Sequence, residues 1–402
     1  MTLSATLRTE ADALAPELTR LRHRLHRWPE IGLQLPRTQE TVLEALDGLG
    51  LEVTLGRSLT SVTAVLRGGR STGRAVLLRG DMDALPVQER TGEPFSSEVD
   101  GVMHACGHDL HTAMLVGGAR LLAAHRDALA GDVVFMFQPG EEGWNGAGAM
   151  IDEGVLTAAG PRVNAAYGMH VRSGKTPNGV FTTRGRTMMS ASSRLDVTVL
   201  GRGGHGSSPH LTRDPISAAA EMITSLQTMV TRRFDIFDPV VVTVGTIAGG
   251  SARNIIPDTA HFSATVRTFS AAAGDTIGDL ATAVCQGVAM AHGVQVDVGY
   301  VAEYPATVND PEQARFLADV VSDVFGEDQF LPMEFPEPGS EDFSRILAAV
   351  PGSYVMLGAS VSPDYARAPS NHSPLARFDD GVLSRGALLH AELAVRSLAR
   401  SG

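Results

Sequence analysis

The chain has 402 residues, 43% of them apolar, with 45 acidic against 33 basic side chains and a formal charge of −12. That length corresponds to two or three domains and that composition to a folded chain with enough apolar residues for a core, which excludes disorder, collagen and coiled coil. The acidic balance disfavours a general nucleic-acid or anionic-membrane binder, two cysteines are too few for a disulfide framework, and there is no apolar run long enough to span a bilayer. From the N-terminus, Glu10, Asp12 and Glu17 interrupt the apolar positions, so no secretory leader is read and a reducing, cytoplasmic location is expected. Apolar periodicity predicts helices over 10–28 and 37–49, the second closed by Gly50. Short apolar runs at 75–79, 133–137 and 163–167, separated by helical stretches such as 110–125, then predict buried strands of a largely parallel sheet. Ligands collect beyond the carboxyl ends of such strands, and each run is followed by reactive residues: Asp81 and Asp83, then Glu141 and Glu142, then His170.

The texture changes between about 188 and 299. Strand 194–200, helix 215–232, strands 240–246 and 260–268, helix 276–292 and strand 294–301 read as a compact α+β unit. Helices near 310–325, 341–349 and 379–399 around a strand at 353–357 then restore the α/β pattern. The expected architecture is an α/β domain built on a largely parallel sheet, formed by 1–187 and 300–402, with an α+β domain, 188–299, inserted into it.

The densest chemical cluster is His104-Ala105-Cys106-Gly107-His108-Asp109-Leu110-His111, in a loop entering a helix. Imidazole, thiolate and carboxylate at this density suit a zinc, manganese, cobalt or nickel ion. In Gln138-Pro139-Gly140-Glu141-Glu142-Gly143 two carboxylates stand side by side where glycines let the backbone bend. Such a pair can divide labour, one holding metal and the other acting as general base. His170 and His372, the latter in Ser370-Asn371-His372-Ser373-Pro374, add imidazoles from distant parts of the chain. Two glycine patterns point elsewhere and fail on spacing. Gly201-Arg202-Gly203-Gly204-His205-Gly206 matches the dinucleotide fingerprint but runs on into Ser207-Ser208-Pro209-His210 instead of opening a helix, and Gly174-Lys175-Thr176 lacks the glycine a phosphate loop needs at Met169.

Taken together, Arg79-Gly80-Asp81-Met82-Asp83-Ala84-Leu85-Pro86, the Cys106 and Glu141 segments, Gly168-Met169-His170, the glycine loop ending in His210, Asn254-Ile255-Ile256-Pro257-Asp258 and Ser340-Glu341-Asp342-Phe343 resemble the M20 metallopeptidase family, in its amidohydrolase branch of hippurate hydrolases, N-acyl-amino-acid hydrolases and indoleacetyl-amino-acid hydrolases. The resemblance covers nearly the whole chain. It implies two divalent metal ions (zinc, manganese, cobalt or nickel) per subunit, held by Cys106, His108, Glu142, His170 and His372, with Glu141 as general base. The inserted unit would be a satellite domain serving dimerisation, so a homodimer is implied. His205 would bind the scissile carbonyl, often from the partner subunit, and Asn254 and Arg267 would hold the substrate carboxylate. Where most family members carry His-x-Asp, this chain has Asp81-Met82-Asp83. Asp83 and Asp109 are expected behind the ligands, orienting histidines. The implied reaction is hydrolysis of a small N-acyl-amino acid to a carboxylic acid and a free amino acid. Alternatives are a dipeptidase or carbamoyl-amino-acid amidohydrolase on the same scaffold, or a non-catalytic conjugate binder, which would have no use for both Glu141 and Glu142.

Overall fold

The computed structural model describes residues 2–70 and 72–400. It divides into two compact units, Met1–Met188 with Val308–Phe335 and Asp342–Gly402, and Met189–Thr307 with Pro336–Glu341. The second unit differs from the expected 188–299 for two reasons. Strand Gln295–Tyr304 stays paired with Ala191–Leu200 along its length, carrying the unit past 299, and the Ser190 hydroxyl and N–H donate to the Pro338 and Glu337 carbonyls at 2.7 and 3.0 Å.

The first unit is built on one eight-stranded sheet in the order Glu52–Leu55, Val62–Leu66, Asp132–Gln138, Ala75–Asp81, Ala165–Arg172, Gly352–Gly358, Phe181–Thr183 and Phe330–Pro332. Its four middle members, Asp132–Gln138 to Gly352–Gly358, run parallel, so their carboxyl ends emerge along one edge. These strands are buried along almost their whole length, which is why they read as unbroken apolar runs. The third strand begins at Ala165 and runs to Arg172, so His170 lies on it and does not follow it. Short or exposed members such as Glu52–Leu55 and Phe330–Pro332 carry no such signal.

Helices Leu3–Arg27, His108–Ala124 and Leu383–Ala399 pack against one another beside this sheet. The approach between the last two is close because glycines line it. A Cβ at Gly117 would fall 2.6 Å from that of Ala387, and one at Gly118 would fall 2.9 Å from that of His390. The second helix ends at Leu46 with Asp47 as its cap, so Gly50, in left-handed conformation at φ +64°, belongs to the following turn.

In the second unit, strands Val241–Gly249, Thr259–Thr268, Ala191–Leu200 and Gln295–Tyr304 form an antiparallel sheet in that order, packed on helices Pro215–Arg233 and Ala271–His292. Both helices start where side chains cap the free N–H groups: Asp214 before Pro215, and Ser270 accepting from Ala273 N–H at 3.0 Å. The glycine-rich run 201–206 precedes no helix. Gly204–His205 pairs with Ile255–Ile256, and Cβ atoms at Gly201 and Gly203 would meet the carbonyls of Arg213 and Ile256 at 2.2 and 2.6 Å. The glycines serve close backbone passage. Among the described residues no helix is long and apolar enough to cross a membrane.

His390 is 1% exposed, its Nδ1 has no hydrogen-bond partner among the described residues, and burial, with the nearby His111, pushes its pKa down to about 3. The fold therefore excludes a proton that the unfolded chain takes up below its ordinary value near 6.5. The resulting loss of stability grows as pH falls from about 6.5 towards 3, by about 1.4 kcal/mol per pH unit. With excess chelator present, chemical unfolding should show the wild type losing about 2 kcal/mol more than His390→Gln between pH 6.5 and 5.0. Parallel losses in the two proteins would show that His390 is not held neutral.

Candidate metal centre

The parallel strands bring the chemical clusters to one edge. Strand Ala75–Asp81 ends on Asp81, and Asp132–Gln138 turns through Gly140, at φ +73°, into Glu141 and Glu142. The Asp83 carboxylate receives the N–H groups of both glutamates, Oδ1 from Glu141 and Oδ2 from Glu142, each at 3.0 Å, which fixes the bend. Gly107 caps helix His108–Ala124 at φ +87°, and a Cβ there would lie 2.4 Å from Val171 Cγ2. That glycine lets the Cys106 loop close onto strand Ala165–Arg172, which carries His170. The 370–374 loop is clamped in turn. His372, at φ +69°, donates its N–H to the Ala105 carbonyl at 2.9 Å, and Asn371 Nδ2 donates to the carbonyls of Cys106 and Val171, each at 3.0 Å.

Cys106 Sγ is the meeting point, 3.3 Å from His170 Nε2 and 3.1 Å from His372 Nε2. Glu142 Oε1 lies 3.3 Å from His372 Nε2 and 3.9 Å from His108 Nε2. Two donor groups result, Cys106 with His108 and His170, and Cys106 with Glu142 and His372, each with its ligand atoms within 4.8 Å of one another. His108 with Glu141 and Glu142 forms a further such group. The geometry fits cations. His108 is fully buried, yet among the described residues neither of its ring nitrogens makes a hydrogen bond. Buried polar atoms left unsatisfied among converging donors mark an ion site. His170 donates from Nδ1 to the Val171 carbonyl at 2.7 Å, since a carbonyl only accepts, and that leaves the Nε2 lone pair facing Cys106.

The electrostatics agree. Hydrogen bonds to Cys106 and Glu142 push His372 up to about 10. Burial opposes charge on His108, but the Asp81 carboxylate and contacts with Asp83 and Cys106 outweigh it and raise its pKa well above the usual value. His170 is driven well below by burial and by His111 and His108. The surrounding carboxylates and Cys106 thus favour the charged forms of His108 and His372, positive positions that divalent ions would take over.

Of the residues singled out in the sequence, Cys106, His108, Glu141, Glu142, His170, His372 and Asp83 converge. Asp83 Oδ1 also lies 3.4 Å from His108 Nδ1, in place to orient that ring. Asp109 does not join them. It accepts from Arg22 Nε at 2.7 Å and His26 Nδ1 at 2.8 Å, because residue 109 sits on the face of its helix turned towards helix Leu3–Arg27. His205, Asn254 and Arg267 belong to the second unit. There His205 and Asn254 are neighbours, with Gly206 N–H donating to the Asn254 carbonyl at 2.8 Å. Arg267 lies near the end of strand Thr259–Thr268 away from the Asn254 loop and donates to Ser340 Oγ at 3.0 Å. Asn371 was given no role beforehand, its neighbour His372 being the visible signal, and His111 was counted only as the third histidine of the densest cluster, one donor among the others.

Residues 77–396 match peptidase family M20/M25/M40. The chain belongs to this family. It is 37% identical to thermostable carboxypeptidase 1 of Saccharolobus solfataricus, over 98% of this chain and 99% of that one, and 34% identical to hippurate hydrolase of Campylobacter jejuni, over 96% and 97%. A crystal structure of a dinuclear metal-binding M20 peptidase from Bacillus subtilis superposes with a TM-score of 0.82 at 31% identity, covering 96% of this chain and 99% of that one. The chain is thus a hydrolase of the M20 family, with candidate ligands placed for metal binding.

Because Cys106 belongs to both donor groups, Cys106→Ala should lower the bound metal per chain more than His372→Ala does. Metal analysis of the purified proteins after gel filtration reads this directly. Equal stoichiometry in the two variants would remove Cys106 from its shared position.

Proposed function

We propose that the chain hydrolyses the amide bond of N-acyl-amino acids, giving a carboxylic acid and a free amino acid, at a binuclear centre held by Cys106, His108, Glu142, His170 and His372. The observation that carries this reading is the donor set closing on Cys106 with the Glu141–Glu142 pair beside it. Similarity to hippurate hydrolase, whose name specifies an N-acyl-amino acid, supports the substrate class. A thiolate–imidazole–carboxylate set accepts zinc, manganese, cobalt or nickel. Its thiol must stay reduced, which fits the cytoplasm, and both cysteines are free.

Bound divalent cations would supply an acidified water and polarise the amide carbonyl. Glu141, 7% exposed and with its backbone N–H held by Asp83, takes the proton of the attacking water as the new C–O bond forms. It returns that proton to the nitrogen as the C–N bond breaks. His205 accepts at Nδ1 from Ser207 N–H at 3.2 Å, so its neutral form carries the proton on Nε2, a donor suited to the developing oxyanion. Asn254 precedes strand Thr259–Thr268 and Arg267 lies near its far end, and the eight rises from Thr259 to Arg267 span roughly 27 Å when extended, so one carboxylate cannot bridge both within a single chain. A homodimer joined through this unit resolves that, with His205 and Asn254 from one subunit and Arg267 from the other. Edge strand Val241–Gly249, with Val241 and Ile247 exposed, supports such pairing.

A second reading, removal of the C-terminal residue from short peptides, draws on the carboxypeptidase relative. Both readings release an amino acid with a free carboxylate. Turnover of N-benzoyl- and N-acetyl-amino acids, dipeptides and ureido acids in one panel separates them, and the first class should dominate. Glu141→Gln should keep both metal ions while turnover falls about 10²- to 10⁴-fold. Near-wild-type turnover would dismiss Glu141 as the base.

A further inference from the structure

Strand Ala165–Arg172 outruns its neighbour: its pairing with Ala75–Asp81 reaches only Arg79 opposite Gly168. The N–H and C=O of Val171 therefore find side chains where a sheet partner would be. Val171 N–H donates to His111 Nε2 at 2.8 Å, and the Val171 carbonyl receives His170 Nδ1 at 2.7 Å and Asn371 Nδ2 at 3.0 Å. His111 is 1% exposed, and its other nitrogen, Nδ1, lies 2.5 Å from Asp81 Oδ1. Accepting a backbone N–H requires the lone pair on Nε2, so the proton sits on Nδ1 and is given to Asp81. Both ring nitrogens are committed. His111 is thus not available as a ligand, although it stands with Asp81 and His108 within 4.8 Å.

We propose that His111 is a positioning residue for the metal centre: held by Asp81, it pins the free end of strand Ala165–Arg172 at Val171 and thereby sets the aim of His170 towards Cys106. The link is mechanical. With Val171 N–H unsatisfied, the strand end shifts to find another acceptor, and the carbonyl that orients His170 and anchors Asn371, next to His372, moves with it. The Asp81 carboxylate serves as anchor for His111 through Oδ1, while its Oδ2 lies 3.7 Å from His108 Nε2.

This rests on the proposed metal-dependent reading, and two isosteric variants separate the two claims. Asparagine can place a donor near the position of Nδ1 but nothing at Nε2, so His111→Asn keeps the Asp81 bond and leaves Val171 N–H empty. Glutamine can place an acceptor near Nε2, so His111→Gln restores the Val171 bond. Competition against a chromophoric chelator, with zinc as the probe, should show His111→Asn binding its weaker ion roughly 10- to 100-fold less tightly than wild type. His111→Gln should recover most of that loss, and circular dichroism of both should match wild type. A folded His111→Asn that binds both zinc ions as tightly as wild type overturns the inference and leaves the metal centre standing. A wild type that binds no zinc overturns both. If neither variant folds, His111 is structural and the inference falls.

Discussion

Cys106 Sγ lies within hydrogen-bonding distance of two imidazoles that come from positions 64 and 266 residues further along the chain, and the rest of the site is arranged around that convergence. A thiol, two carboxylates and three imidazoles crowd into a few ångströms while several of their polar atoms lack hydrogen-bond partners among the described residues. Left to themselves such groups destabilise a fold, since burying unpaired polar atoms costs about 1–3 kcal/mol each. Cations convert that cost into binding energy. Without them, protons on His108 and His372 do part of the same work, and the pKa values of those two rise, while burial drives that of His170 down.

Behind the donors a buried charge network holds the sheet edge in shape. Arg79, fully buried, donates Nε to Gln138 Oε1 at 3.0 Å and Nη2 to Asp342 at 3.2 Å, and it pairs with Asp81. Asp342 also accepts from Gln138 Nε2 at 2.8 Å and from Ala147 N–H at 2.9 Å. A buried guanidinium is tolerable only when its donors are met in this way, and breaking one partner leaves an uncompensated charge. Two strands, helix Gly146–Asp152 and the Asp342 segment are thereby tied together where Asp81, Glu141 and Glu142 emerge. The same logic places Asp109 elsewhere, with Arg22 and His26 tying the first helix to the helix that begins at His108.

The architecture was legible where burial leaves a pattern. Continuous apolar runs marked Ala75–Asp81 and Asp132–Gln138, because strands covered on both faces have no polar side to interrupt them. The helices expected over 215–232 and near 310–325 are observed as Pro215–Arg233 and Pro311–Phe325, starting on caps Asp214 and Asp310. Edge strands such as Glu52–Leu55 were not legible, being exposed and held by backbone pairing that any side chain permits. In the glycine run 201–206 the residues were visible but their purpose was not, since a glycine that admits phosphate and one that admits a neighbouring carbonyl look alike in one dimension.

By itself the amino-acid order determined the chemical inventory and the strand ends that carry it: Cys106, His108, Glu141, Glu142 and His170 each sit in or beside a recognisable motif. The fold alone decided which of them share a space and how each ring is turned. Asp83 and Asp109 are both aspartates close to candidate ligands in sequence, yet one cradles the glutamate backbone and the other faces a helix on the far side of its own. His111 is three residues from the candidate ligand His108, yet its two nitrogens are taken by Asp81 and Val171. Spacing along a chain states how far apart two groups are permitted to be, whereas orientation depends on hydrogen bonds to partners tens or hundreds of residues away, and those partners exist only once the strands have stacked side by side.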